Sequence, residues 1–133
     1  GVRGRCLDMT VRVRPGAGAR MYRSFRLEAA KGGDYAVSIR YTPGDNTVRV
    51  DRSRAGFPAD IRCVREFAVR DRGGEICLRL ILDRFSLELF VNDGEQAASF
   101  TLYSPQSADG ISFAAEGEAR MDVEKYDLEF GKL

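Results

Sequence analysis

Residues 78–95 read LRLILDRFSLELFVNDGE, the densest apolar run in the chain. Leu78, Leu80 and Leu82 fall on one face of an extended segment, with Arg79, Ile81 and Asp83 on the other. After the tight DRFS connection at 83–86, Phe85, Leu87, Leu89 and Val91 share a face, and Ser86, Glu88 and Phe90 oppose them. Alternation with period two is the mark of a half-buried β-strand. Asn92-Asp93-Gly94 then supplies residues that tolerate positive φ, so the chain turns again into 96–103. The stretch predicts a three-strand antiparallel meander whose leucines are core.

The same period runs outward in both directions. Leu7, Met9, Val11 and Val13 alternate with polar residues, as do Tyr35, Val37, Ile39 and Tyr41. Further alternating runs cover 47–51, 63–69, 76–82, 85–91, 96–103 and 111–114. Residues 23–31, RSFRLEAAK, read as a strand in this company rather than as a short helix. In 119–130, Ala119, Met121 and Val123 hold one register and Tyr126, Leu128 and Phe130 the other, which predicts a β-bulge at Glu124–Lys125. Turn signals separate the runs: PGAG at 15–18, KGGD at 31–34, PGDN at 43–46, RGG at 72–74, SADG at 107–110 and EGE at 116–118. About ten short strands spaced 8–12 residues apart predict an all-β, antiparallel two-sheet β-sandwich of jelly-roll or concanavalin A-like form.

The chain has 133 residues, a length expected to form one domain spanning 1–133. With 21 Lys+Arg against 20 Asp+Glu, the balance offers no general attraction for nucleic acid or an anionic membrane. Arg62, Arg65, Arg70 and Arg72 cluster locally; the reading is a solvated strand face, with a docking or phosphate patch as the alternative. RGGE at 72–75 is too short to cradle phosphate as a glycine-rich loop does. No apolar run approaches the roughly 18 residues needed to span a membrane. The opening GVRGRC carries no signal-peptide pattern, and Gly1 suggests a piece excised from a longer protein.

There is no His, which removes Ser-His and Cys-His nucleophile activation and the commonest zinc ligand. Cys6, Cys63 and Cys77 form no close-spaced ligand pair, and their odd number argues against a complete disulfide framework. They read as reduced structural residues, so a bacterial cytoplasmic location is expected over secretion. No metal site and no cofactor is expected. There is also no Trp, which weakens a lectin-like reading, although Tyr22, Tyr35, Tyr41, Tyr103 and Tyr126 could line a sugar groove.

The acids of the opening stretch invite a catalytic reading. Glycoside hydrolysis needs two carboxyl groups about 5–5.5 Å apart for retention or about 6.5–9.5 Å for inversion, flanking a bound sugar. Asp83 sits at a turn, Glu88 lies mid-strand among bulky apolar neighbours, and Asp93 and Glu95 occupy a hairpin tip. Turn capping accounts for Asp83, a salt bridge or a contact at a face covered by another domain for Glu88, and plain turn chemistry for Asp93, and no pocket is specified. A self-contained enzyme is not expected.

The block at Leu78–Glu95 resembles the C-terminal β-sandwich of glycoside hydrolase family 32, whose members include invertases, fructosidases and sucrose-6-phosphate hydrolases. That domain typically carries a strand–DRSS–strand–EIFVNDG block. VRVDRSRAG at 48–56 and DGISFAAEGEARMDVEKYDLE at 109–129 match in the same order, so the likeness covers Met9 to Phe130. Phe85 departs from the usual small residue after Asp-Arg, and Leu89 stands where Ile is common. The resemblance implies that the active site belongs to a β-propeller preceding this domain. There the nucleophile lies in a WMNDPNG-like motif, a stabilising acid in RDP and the acid/base in EC. FVNDG at 90–94 lacks the following Pro-Asn, and neither RDP nor EC occurs, so no catalytic residue carries over. The expected partner is therefore the catalytic propeller of the same polypeptide, with a homo-oligomer as a further possibility. The docking face is expected at Arg79, Ile81, Asp83, Arg84, Glu88 and Phe90, where apolar and charged side chains share the outward side of the meander.

Overall fold

A computed structural model describes residues 2–18, 20–57 and 63–128. Ten strands follow one another: β1 (Leu7–Pro15), β2 (Ser24–Gly32), β3 (Tyr35–Thr42), β4 (Thr47–Arg54), β5 (Val64–Ala68), β6 (Ile76–Leu82), β7 (Ser86–Val91), β8 (Gln96–Thr101), β9 (Gly110–Glu116) and β10 (Ala119–Asp127). They form two five-stranded sheets, ordered β10-β1-β6-β7-β8 and β5-β4-β3-β2-β9, with antiparallel pairing throughout. The expected two-sheet β-sandwich is the fold observed.

The alternation read from the sequence sets the inner faces. Leu78, Leu80 and Leu82 of β6, Leu87, Leu89 and Val91 of β7, and Leu7, Met9, Val11 and Val13 of β1 are all buried. Leu27, Val37, Ile39, Tyr41, Val48 and Val50 meet them from the second sheet, closing one continuous core. Burial of so many aliphatic side chains is the dominant stabilising term, at roughly 1.5–3 kcal/mol for each relative to exposure.

Residues 24–32 form strand rather than helix. The expected bulge at Glu124–Lys125 is absent: β10 pairs with β1 without a break from Pro15↔Ala119 to Leu7↔Asp127. Lys125 keeps the inner register, with its stem half-buried and its ammonium 2.7 Å from Asp127, while Tyr126 points outward and is 66% exposed. A long side chain that covers apolar surface with its stem does the work expected of a register shift. The register shifts lie instead in β2, around Ala29 to Gly32, where Ala30 has φ 48°, and between Ala36 and Ser38 of β3. Phe85 is a second correction. It sits in the β6–β7 turn, 62% exposed, rather than on the core face of β7. Arg62, Glu129 and Phe130 lie outside the described residues, and so does Gly1.

Candidate functional site: the outer face of the first sheet

Four of the residues singled out in the sequence meet on one face. In the β6–β7 register Arg79 stands opposite Phe90 and Ile81 opposite Glu88, all four pointing away from the core. Ile81 and Phe90 are half-buried, while Arg79 and Glu88 are exposed. Asp83 and Arg84 belong to the turn beyond the strand ends. The Asp83 carboxylate accepts from the Arg84 N–H, and the Asp83 N–H donates to Ser86 O at 2.9 Å, so Asp83 caps its own turn.

The first sheet brings further residues to this face that the meander alone does not contain. Asp8 of β1 lies between Ile81 and Tyr126 in cross-strand register, and Thr10 lies opposite Arg79. Arg79 grips Asp8 with both arms of its fork: Nε to Oδ1 at 3.0 Å and Nη2 to Oδ2 at 2.7 Å. The hydrogen bonds from Arg79 hold the Asp8 carboxyl below the usual carboxylate range. Asp8, Thr10, Arg79, Phe90, Asp93 and Tyr126 line a shallow concavity of about 420 Å³. Cys77 also borders it, with its thiol pKa pushed up by burial, which suits a packing role rather than a nucleophile.

Of the remaining acids of the opening stretch, Glu95 is committed to structure. Glu95 accepts from the Arg70 N–H at 2.7 Å and from Asn92 Nδ2 at 3.2 Å, and stands 3.6 Å from Arg72. Partial burial pushes its pKa up, but the bonds from Arg70 and Asn92 and the charges of Arg72 and Arg70 outweigh this and hold it low. Asn92 Oδ1 in turn accepts from the Cys77 N–H at 2.9 Å. The NDGE segment therefore ties the β7–β8 hairpin to its neighbours, with Asn92 and Asp93 at φ 50° and 57°. Among the described residues no cluster of three or more His, Cys, Asp or Glu could hold a metal ion.

The tyrosines do not form one groove. Tyr22 and Tyr41 are buried in the core with ring centroids 6.3 Å apart, and Tyr22 Oη donates to Gly74 O at 2.5 Å. Of the exposed three, Tyr126 lies on β10, Tyr35 opens β3, and Tyr103 follows β8 and packs edge-on against Phe57 at 4.9 Å.

A buried arginine that the sequence reading passed over holds the end of the sandwich together. Arg5 is 7% exposed. Its Nη1 donates to Pro105 O at 2.8 Å and Ala108 O at 3.0 Å. Its Nη2 donates to Arg84 O at 3.1 Å and to both Ser104 O and Ser104 Oγ at 3.0 Å. These bonds join the segment before β1 to the β6–β7 turn and to the loop between β8 and β9.

These features define an antiparallel β-sandwich domain with one outer face that mixes half-buried apolar groups with paired charges. The family described as "Glycosyl hydrolases family 32 C terminal" matches residues 1–129, and the chain belongs to that family. A levanase from Bacillus sp. (strain L7) is 30% identical over 106 residues, covering 77% of this chain and 11% of the levanase. A sucrose-6-phosphate hydrolase from Staphylococcus xylosus is 29% identical over 92 residues, covering 68% of this chain and 18% of that protein. The chain thus spans less than a fifth of the length of these relatives. Among solved structures, the exo-inulinase from Aspergillus awamori superimposes with a TM-score of 0.80 at 16% identity, over 97% of this chain and 26% of the inulinase. The sucrose-6-phosphate hydrolase from Lactobacillus gasseri gives a TM-score of 0.77 at 17% identity, over 95% of this chain and 25% of that one.

Proposed function

We propose that this chain is the non-catalytic C-terminal domain of a longer fructose-releasing hydrolase, and that it stabilises the catalytic propeller by packing through the outer face of β10-β1-β6-β7-β8. The observation that carries the docking face is the pair Ile81 and Phe90, half-buried on the outside of a sheet whose inner face is already filled. An apolar patch rimmed by charge is the usual form of an intramolecular domain interface. The levanase and sucrose-6-phosphate hydrolase relatives support the class of parent enzyme. The occupation of Asp8, Asp83 and Glu95 by hydrogen bonds supports a domain that does not itself hydrolyse glycosides.

The test has two arms. The isolated chain should release no fructose from sucrose or levan; turnover would sink the non-catalytic reading. Ile81→Glu combined with Phe90→Glu should lower the melting temperature of the full-length polypeptide by clearly more than that of the isolated chain, where both side chains are half-buried. Equal effects in both settings would remove this face from the interface.

A second reading rests on the same concavity. Phe90 and Tyr126 sit beside the planar Arg79–Asp8 pair, and aromatic faces with fixed polar forks are the groups that hold sugars. A carbohydrate-binding role requires saturable binding of sucrose or a fructan at millimolar concentration or below, lost in Tyr126→Ala.

A further inference from the structure

The outer face of the second sheet carries a different chemistry. Arg26 of β2 stands directly opposite Arg40 of β3, and Arg40 directly opposite Arg49 of β4. The three arginines form one cross-strand row, with neighbours about 4.8 Å apart in the direction of the sheet hydrogen bonds. Like charges placed directly opposite one another on a sheet are destabilising. The arrangement calls for a compensating group.

The protein compensates the two ends of the row, with Asp51 also acting on Arg49, and leaves the middle arginine unpaired among the described residues. Glu28 stands 3.7 Å from Arg26, and Glu66, at the far end of the row, stands 3.8 Å from Arg49. Both separations exceed hydrogen-bond length. Arg40, in the middle, has no ion pair or side-chain hydrogen bond among the described residues. Arg26 Nε is withdrawn from solvent without a hydrogen-bond partner. Two shallow concavities flank Arg40, one shared with Arg26, Ser24 and Glu116, the other, of about 230 Å³, shared with Arg49, Ser38 and Asp51. Two residues along the strands from the arginines, Ser24, Thr42 and Thr47 present hydroxyls on the same face by the alternation of each strand.

We propose that the Arg26–Arg40–Arg49 row is a binding site for a dianionic oxyanion of the phosphate class. Planar guanidinium forks from adjacent strands present donors to several oxygens of a tetrahedral anion at once. Glu28 and Glu66 close the two ends of the row, which leaves the unpaired Arg40 at its centre for one compact anion and no continuous basic track for a phosphate backbone. The site lies on the second sheet, apart from the docking face of the first, so either can fail without the other.

The experiment follows the arginine Nε–Hε resonances of the chain by NMR. Inorganic phosphate is titrated near neutral pH, against sodium chloride at matched ionic strength. Saturable shifts confined to Arg26, Arg40 and Arg49, absent with chloride, are expected. Arg40→Gln should weaken the phosphate affinity about tenfold, the loss of one charge-assisted contact. Arg14→Gln on the other sheet should leave it unchanged. A sugar phosphate and the bare sugar form the remaining arms. Tighter binding of the monoester than of phosphate assigns the anion to a phosphorylated ligand, and equal binding assigns it to the free ion. Shifts that do not saturate, that chloride reproduces, or that survive in folded Arg40→Gln would overturn the proposal and leave a solvated charge row.

Discussion

Arg79 and Asp8 meet as a two-armed ion pair across β6 and β1, with contacts of 3.0 and 2.7 Å, on the outside of the first sheet. The pair is diagonal in the register, since Asp8 faces Ile81 and Thr10 faces Arg79. It braces the face carrying Ile81 and Phe90. Hydrogen bonding from Arg79 lowers the Asp8 pKa. A carboxyl whose folded pKa is depressed adds stability above its unfolded pKa and loses it as pH falls through the folded one. Asp8→Asn should therefore cost a small amount of stability at neutral pH, and that difference should vanish in acid, below the ordinary carboxylate range. Urea denaturation of both proteins across that range checks it. A difference that grows as pH falls would contradict the assignment.

Arg5 should matter more than any exposed ion pair. Its guanidinium donates to four backbone carbonyls and one hydroxyl in a site where little water can replace it. Arg5→Met should destabilise the chain by about 2–4 kcal/mol, because the carbonyls lose charge-assisted partners while remaining partly buried. Arg5→Lys should recover only part of this, since a single ammonium cannot reproduce a planar fork. Denaturant midpoints read both. A loss no larger than that of an exposed arginine would refute the clamp.

The strands were legible and the clamp was not, for a physical reason. Leu78, Leu80 and Leu82 announce an inner face because each strand residue repeats the choice of side made two positions earlier. Arg5 has no such repetition: its partners lie 79 to 103 positions away and, apart from the Ser104 hydroxyl, are backbone carbonyls, which leave no trace in side-chain pattern. Asp8 was likewise hidden. Alternation put it on the outward side of its strand, but only the strand order β10-β1-β6-β7-β8 sets it beside Ile81 and Tyr126. The bulge expected at Glu124–Lys125 failed because the pattern counts apolar residues, whereas Lys125 fills an inward position with an aliphatic stem.

Gly56 marks where the two sheets are laced at one end. Its φ is 89°, and a Cβ there would lie 2.7 Å from the Tyr103 carbonyl carbon and 2.8 Å from its oxygen. The neighbouring Ala55 O accepts from the Tyr103 N–H at 2.9 Å, so that backbone has little room to retreat. Gly56→Ala combines a left-handed backbone penalty with a clash against main chain, and should cost about 2 kcal/mol or more. Thermal melting measures it. Gly33→Ala is the control, because φ is also positive there but no atom lies within 4 Å of the added methyl. That variant should pay the backbone term alone.

Leu80 and Ile81 are adjacent in sequence and face opposite ways, so the pair separates core from interface. Leu80 is fully buried, with Met9 and Leu89 as its cross-strand neighbours. Leu80→Ala should cost about 2–5 kcal/mol in the isolated chain and the same in any longer protein that contains it, because the cavity is internal to the sandwich. Ile81→Ala should cost only about 1 kcal/mol in the isolated chain, where its side chain is half-buried. If the outer face packs on a catalytic propeller, Ile81 becomes fully buried in the full-length polypeptide and the same substitution should cost visibly more there. The ratio of the two Ile81→Ala effects, read by denaturant unfolding with Leu80→Ala as the internal standard, measures how much of Ile81 the second domain covers. A ratio of one would place the interface elsewhere on the sandwich.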